Sequence, residues 1–126
     1  MAVAYEIVGQ DIPLKAATDL SEKQWYILRI SDDDTVNTGN TTSYPIGILQ
    51  DKPAAAGRGA NVRISGLSKC VAGEEITAGN PIAPDSDGKG VVATSDSYMI
   101  GIALVGAGAE DQIFTVRLGT GAAAGS

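Results

Sequence analysis

The sequence predicts an all-β chain, folded as a small β-sandwich or barrel-like domain built from two pseudo-repeated β units. Three observations predict it. Short apolar segments alternate with period two, separators rich in Asp, Asn and Gly divide them, and one half of the chain reappears in the other at constant spacing.

The repeat carries the most information. Ser43-Tyr44-Pro45-Ile46-Gly47-Ile48 returns as Ser97-Tyr98-Met99-Ile100-Gly101-Ile102, an offset of 54 residues. The same offset sets Val62-Arg63-Ile64 against Val116-Arg117-Leu118, and pairs Lys15 with Lys69, Asp33 with Asp87 and Ala55 with Ala109. Residues 12–66 and 67–119 read as two copies of one unit within a single β domain. Residues 1–11 read as an N-terminal arm, and the Gly/Ala/Ser-rich residues 120–126 as a flexible tail.

Taken in order, the first expected strand lies in the arm, where Val3, Tyr5 and Ile7 alternate with Ala4 and Glu6. One helical turn is expected between Asp19 and Gln24, capped by Asp19 or Ser21. A strand from Trp25 to Ile30 would turn Trp25 and Tyr26 to opposite faces, leaving one of them to anchor an interface. Tyr44, Ile46 and Ile48 are expected on one strand face, and Tyr98, Ile100 and Ile102 on another. Gly47 and Gly101 point away, as glycines do where a second backbone approaches. Further strands are expected at Lys69–Ala72, Pro81–Ala83 and Gly90–Ala93, with Asp87-Gly88 as a hairpin turn. In the closing strand Phe114, Val116 and Leu118 are expected to face a core while Thr115 and Arg117 face water.

Composition narrows the function. At 126 residues the chain suits one domain, but with 5% aromatics and 16 glycines its core is thin, so part of its stability is expected from partners. The net charge is −6 and the nine basic residues are scattered singly, which argues against nucleic acid and against an anionic membrane. No run approaches the roughly 18 apolar residues of a membrane span, and the first residues lack the marks of a signal peptide. There is no histidine, which removes the usual general base and the commonest metal ligand. The single Cys70 permits no zinc cluster and no Cys–His nucleophile, and reads as a small buried hydrophobe. Asp32-Asp33-Asp34 and Asp85, Asp87 lack the later bidentate Glu of a calcium loop and read as turns. The expectation is a protein with no catalytic residues, no cofactor and no metal.

Residues 67–119 also carry Val71-Ala72-Gly73, Ile76-Thr77-Ala78-Gly79-Asn80-Pro81-Ile82, Asp87-Gly88-Lys89-Gly90-Val91-Val92-Ala93-Thr94 and Ile100-Gly101-Ile102-Ala103. This resembles the small capsid decoration, or cement, proteins of tailed bacteriophages. Tyr44-Pro45-Ile46-Gly47-Ile48-Leu49 resembles the same family more weakly. The resemblance implies a structural protein, not an enzyme, that is made in the host cytoplasm. It would bind the outside of the assembled head as a homotrimer and bridge major capsid subunits. Val3, Tyr5, Ile7, Trp25, Tyr26 and Arg58 are then the candidate capsid or subunit contacts. The competing expectation is a carbohydrate- or cell-surface-binding β module, a role that needs exposed aromatic rings.

Overall fold

The computed structural model describes residues 9–119, which form ten strands and no helix. The arm residues Val3, Tyr5 and Ile7 and the tail 120–126 lie outside the described residues. In the first half, β1 (Asp11–Ala16), β2 (Ile27–Asp32), β3 (Thr35–Thr38), β4 (Pro45–Leu49) and β5 (Gly59–Arg63) close a barrel in the order β1-β3-β2-β4-β5. In the second half, β6 (Gly66–Val71), β7 (Pro81–Pro84), β8 (Gly90–Val92), β9 (Gly101–Val105) and β10 (Ile113–Leu118) form a sheet in the order β6-β10-β9-β7-β8.

The two halves repeat one pairing scheme residue by residue. Leu28 pairs with Thr38 as Ile82 pairs with Val92; Leu28 pairs with Gly47 as Ile82 pairs with Gly101. Ile48 pairs with Arg63 as Ile102 pairs with Arg117. Every partner is displaced by the 54 residues seen in the sequence. The first strand of each half departs from this. Ile12 faces Val62, whereas Ser68 faces Val116, so β6 has slid two residues relative to β1. Lys15 is therefore equivalent to Val71, and its match with Lys69 is coincidental. A slip of two is tolerated because side chains alternate with period two: Ala16 and its counterpart Ala72 remain inside, each 1% exposed or less.

Two expected elements are corrected. The turn at Asp19–Gln24 is capped, with the Ser21 N–H donating to Asp19 Oδ1 at 2.9 Å, but it does not propagate into a helix. The chain leaves it through Trp25, whose φ is 72°, so β2 begins at Ile27 and Trp25 and Tyr26 are not strand residues. Conversely, β1 had no sequence signal as a strand, because it contains Pro13. Lys15 and Ala17 donate their N–H groups toward the β2–β3 hairpin and β3 (to Asp34 and Val36), so by alternation the missing N–H of Pro13 falls on the same side. There β3 has not yet begun: its partners are Lys15 and Ala16, and no bond is lost.

The left-handed bends also repeat. Trp25, Asp34 and Asp111 have φ of 72°, 51° and 72°, and their counterparts at the same offset are Gly79, Gly88 and Gly57, with φ of 95°, 91° and 84°. Each bend is thus a property of the unit, filled by glycine in one half and by a side chain in the other. Asp34→Gly should relieve the left-handed strain and raise stability by a few tenths to about 1 kcal/mol, measured by urea denaturation. Asp111 is a poorer test, since its carboxylate also holds Lys89 Nζ at 2.7 Å.

Two apolar clusters result. Leu20, Leu28, Val36, Leu49, Ala60 and Val62 fill the barrel, while Cys70, Ile76, Ile82, Ile100, Phe114 and Val116 fill the second half. Ile27 and Ile48 belong to the second cluster although they stand on β2 and β4. Consecutive residues such as Ile27 and Leu28 are both fully buried because each side of the barrel wall faces a core. Ile46 packs on the barrel cluster and Ile48 on the other, so the expected common face is corrected. The β2–β4 register shifts between Leu28/Gly47 and Arg29/Pro45, leaving Ile46 as an extra residue that reverses the alternation.

The closure of the two halves differs. In the barrel, β1 and β3 pair in parallel at Lys15↔Thr35 and Ala16↔Val36. In the second half only the bridge Ala72↔Gly90 joins β6 to β8. The segment Trp25–Ile27 takes up the rest of that seam: Val71 N–H donates to the Trp25 carbonyl at 3.0 Å and Ile27 N–H to the Gly88 carbonyl at 2.8 Å. Main chain from the first half thus completes the wall of the second.

Candidate functional site

Among the described residues the interior is almost wholly apolar, with Ser68 and Thr115 its only buried polar side chains. Cys70 is fully buried, and desolvation pushes its thiol far above the usual cysteine range. Among the described residues no group of three or more His, Cys, Asp or Glu is placed to hold a metal ion. Asp85, one of the acidic turn residues, spends Oδ1 on the N–H groups of Asp87 and Lys89 at 2.8 and 2.9 Å, closing the hairpin turn.

The sequence-derived contact residues are spread over the surface. Trp25 is half-buried, with Lys69 Nζ 5.5 Å from its ring centre, and its carbonyl sits in the seam. Tyr26 is also half-buried, and Lys23 Nζ lies 4.9 Å from its ring centre. Both rings are engaged within the chain through cations stacked on them. Arg58 is exposed on the loop between β4 and β5, where its carbonyl accepts from Ala16 N–H at 2.9 Å.

A different group stands out at one end of the barrel. β1, β3 and β4 run one way and β2 and β5 the other, so the starts of the former and the ends of the latter lie together. That end carries Gly9 and Gln10, whose N–H donates to Ser65 Oγ at 3.0 Å, the Asp32–Asp34 hairpin, and the start of β4. Tyr44, just before β4, is 71% exposed, and Ile30 is 48% exposed. The ladder sets Arg29 opposite Pro45, so Ile30 and Tyr44 are the next positions outward. The Tyr44 ring meets that of its repeat counterpart Tyr98, with centroids 4.1 Å apart and planes tilted by 38°. A side-chain hydrogen bond with Tyr44 holds the Tyr98 phenol above the usual tyrosine range. These tyrosines were legible in the sequence only as repeat markers. Both lie outside the strands that their alternation with isoleucines suggested, which leaves Tyr44 exposed and Tyr98 half-buried.

Where the arm joins the barrel, the chain is held by an ion pair. Arg63 Nε donates to Asp11 Oδ1 at 2.7 Å and Nη2 to Oδ2 at 3.2 Å, while Asn61 Nδ2 adds a bond at 3.0 Å. Arg63 Nη1 also donates to the Leu67 carbonyl at 3.1 Å, tying the junction between the halves. The Arg63 hydrogen bonds hold the Asp11 carboxyl below its ordinary value, against a smaller opposing effect of burial. A lowered folded-state value means this stabilisation is complete above the unfolded carboxylate pKa and is lost as pH falls through the folded one. Acidification from about pH 4 downward should therefore cost the wild type about 1–2 kcal/mol through this pair, and Asp11→Asn should remove that part of the acid sensitivity. Paired denaturation curves across pH 2–6 (a range of roughly that span brackets the carboxylate pKa) check it.

Comparison with known proteins agrees with this picture. No curated protein matches the sequence. Among solved structures, the head fiber gp8.5 N base of bacteriophage phi29 has the same fold, with a TM-score of 0.68. The match covers 87% of this chain and 93% of that one, at 19% sequence identity. Residues 9–118 match the family described as phage cement protein, which takes in both halves from the arm junction to the last strand. With this match spanning nearly the whole of the described residues, the chain belongs to the phage cement protein family.

Proposed function

We propose that this chain attaches to the outer surface of the assembled phage head and stabilises it by bridging neighbouring major capsid subunits, as a homotrimer when bound. The family match over residues 9–118 carries the reading. The thin core supports it, since a domain with few aromatics gains stability from the surface it binds. The test uses purified heads lacking the protein, to which it is added back. Added protein should bind in clusters of three on the particle map and raise the temperature at which heads release their contents. Single, unclustered copies would overturn the trimer, and unchanged head stability would overturn the bridging role.

The pairing of exposed Tyr44 with half-buried Tyr98 gives one specific ground for a second reading, a carbohydrate- or cell-surface-binding module on the particle. Aromatic faces are where sugars stack. Binding to a glycan array abolished by Tyr44→Ala would favour it.

A further inference from the structure

We infer that the barrel end bearing Tyr44, Tyr98 and Ile30 is the face that docks on the head shell, against a protein surface with an apolar centre and a rim of Lys and Arg. This deepens the reading above and rests on it.

Four observations converge. Two of the four large apolar side chains most exposed among the described residues, Tyr44 and Ile30, lie side by side in register, and Tyr98 joins them from the other half. Tyrosine supplies contact area at small entropic cost and is enriched where interfaces concentrate their energy. The chain outside the described residues also leaves from this end. Residues 1–8 precede Gly9, which sits against Ser65 and Gly66, and residues 120–126 follow Gly119, whose N–H donates to the Ile100 carbonyl at 2.9 Å, two residues from Tyr98. Finally, the surroundings are acidic. The exposed Asp32–Asp34 hairpin flanks Ile30, and exposed Asp96 stands two residues before Tyr98.

The charge selects the occupant. Lys15 beside the hairpin, Arg29 opposite Pro45 and Arg117 on β10 are the nearby cations by register, Arg63 being paired with Asp11, and the four carboxylates of Asp32, Asp33, Asp34 and Asp96 outnumber them. A second copy presenting the same face would bring like charges together, so self-docking through it is disfavoured. A shell surface with basic side chains around an apolar centre meets both the rings and the carboxylates.

The experiment measures co-sedimentation of the full chain with purified heads lacking it, at several salt concentrations. Tyr44→Ala combined with Tyr98→Ala should weaken binding by about 30-fold or more, while the melting temperature stays within a few degrees because Tyr44 is exposed and Tyr98 only half-buried, outside both cores. Asp33→Asn with Asp96→Asn should weaken binding at low salt and flatten its salt dependence. A folded double-tyrosine variant that binds as tightly as wild type overturns this inference alone. Wild type that does not bind heads overturns the proposed function with it. Loss of self-association by the tyrosine variant, with attachment to heads unchanged, would assign the face to a second copy and also overturn the inference.

Discussion

Replacing Phe114 by alanine should cost about 3–5 kcal/mol, the largest loss expected from any single truncation in the core. Phe114 is 0% exposed and is the largest fully buried side chain among the described residues. The repeat adds a second arm to this test. The counterpart of Phe114 in the barrel is Ala60, and the counterpart of Val36 in the second half is Gly90. A Cβ on Gly90 would lie 2.8 Å from Phe114 Cζ, so the ring occupies the space that Val36 fills in the barrel. The two cores thus divide similar space in opposite ways, large with none in one and small with medium in the other. Phe114→Ala with Gly90→Val copies the barrel's solution, and should recover about 1 kcal/mol or more of the loss. Urea denaturation of both single variants and the pair measures the coupling. Strictly additive losses would show that the cavity is not shared.

Gly101→Ala should be a severely damaging small-to-large change within a paired strand, at about 3 kcal/mol or more, and Gly47→Ala should match it. A Cβ on Gly101 would collide with the Arg117 carbonyl oxygen and lie 2.8 Å from Val116 Cγ1. A Cβ on Gly47 would collide with the Arg63 carbonyl oxygen and lie 2.7 Å from Val62 Cγ1. The obstructing atoms are repeat counterparts, and in each case they include backbone fixed in a ladder, which cannot swing aside as a side chain end can. Gly57→Ala provides the control for space alone, since nothing lies within 4 Å there, although its φ of 84° adds a smaller conformational cost. A melting-temperature loss at Gly101 no larger than at Gly57 would show that strand β10 yields.

Much of this fold was legible in residues whose role is local. Gly47 and Gly101 announced a close backbone approach, and the structure supplies the carbonyls that approach them. Phe114, Val116 and Leu118 alternated as core residues, and each is at most 6% exposed, but Thr115, expected to face water, is fully buried as well, since at that point β10 is covered on both sides. What stayed hidden depends on partners distant in sequence. Pro13 argues against a strand unless the pairing on its far side is known to have ended. The β4 bulge that separates Ile46 from Ile48 is a property of the β2 register, not of β4 alone. Trp25 read as a strand residue because nothing in a tryptophan signals a left-handed bend. Its counterpart Gly79 held that signal, and reading the repeat across that position would have found it. For the surface, sequence reasoning favoured Trp25 and Tyr26, whose rings carry stacked cations, over Tyr44 and Tyr98, whose contact joins residues 54 apart.

The borrowed wall segment Trp25–Ile27 bears on how the chain is made. The barrel closes by its own ladders, none of which involves a residue beyond Arg63, so that half can close as soon as it has left the ribosome, with only the Ile27 N–H still waiting for its Gly88 acceptor. The second half has no such independence: Val71 and Gly88 bond to Trp25 and Ile27, and its core includes Ile27 and Ile48. Synthesis from the N-terminus delivers these parts in the order in which they are needed, the earlier product serving as a template for the later one. For closure of the wall the dependence runs one way, and so the order of the two copies along the gene is itself a folding instruction. With the halves exchanged, the nascent first half would have to wait, its seam open, for the segment that completes it.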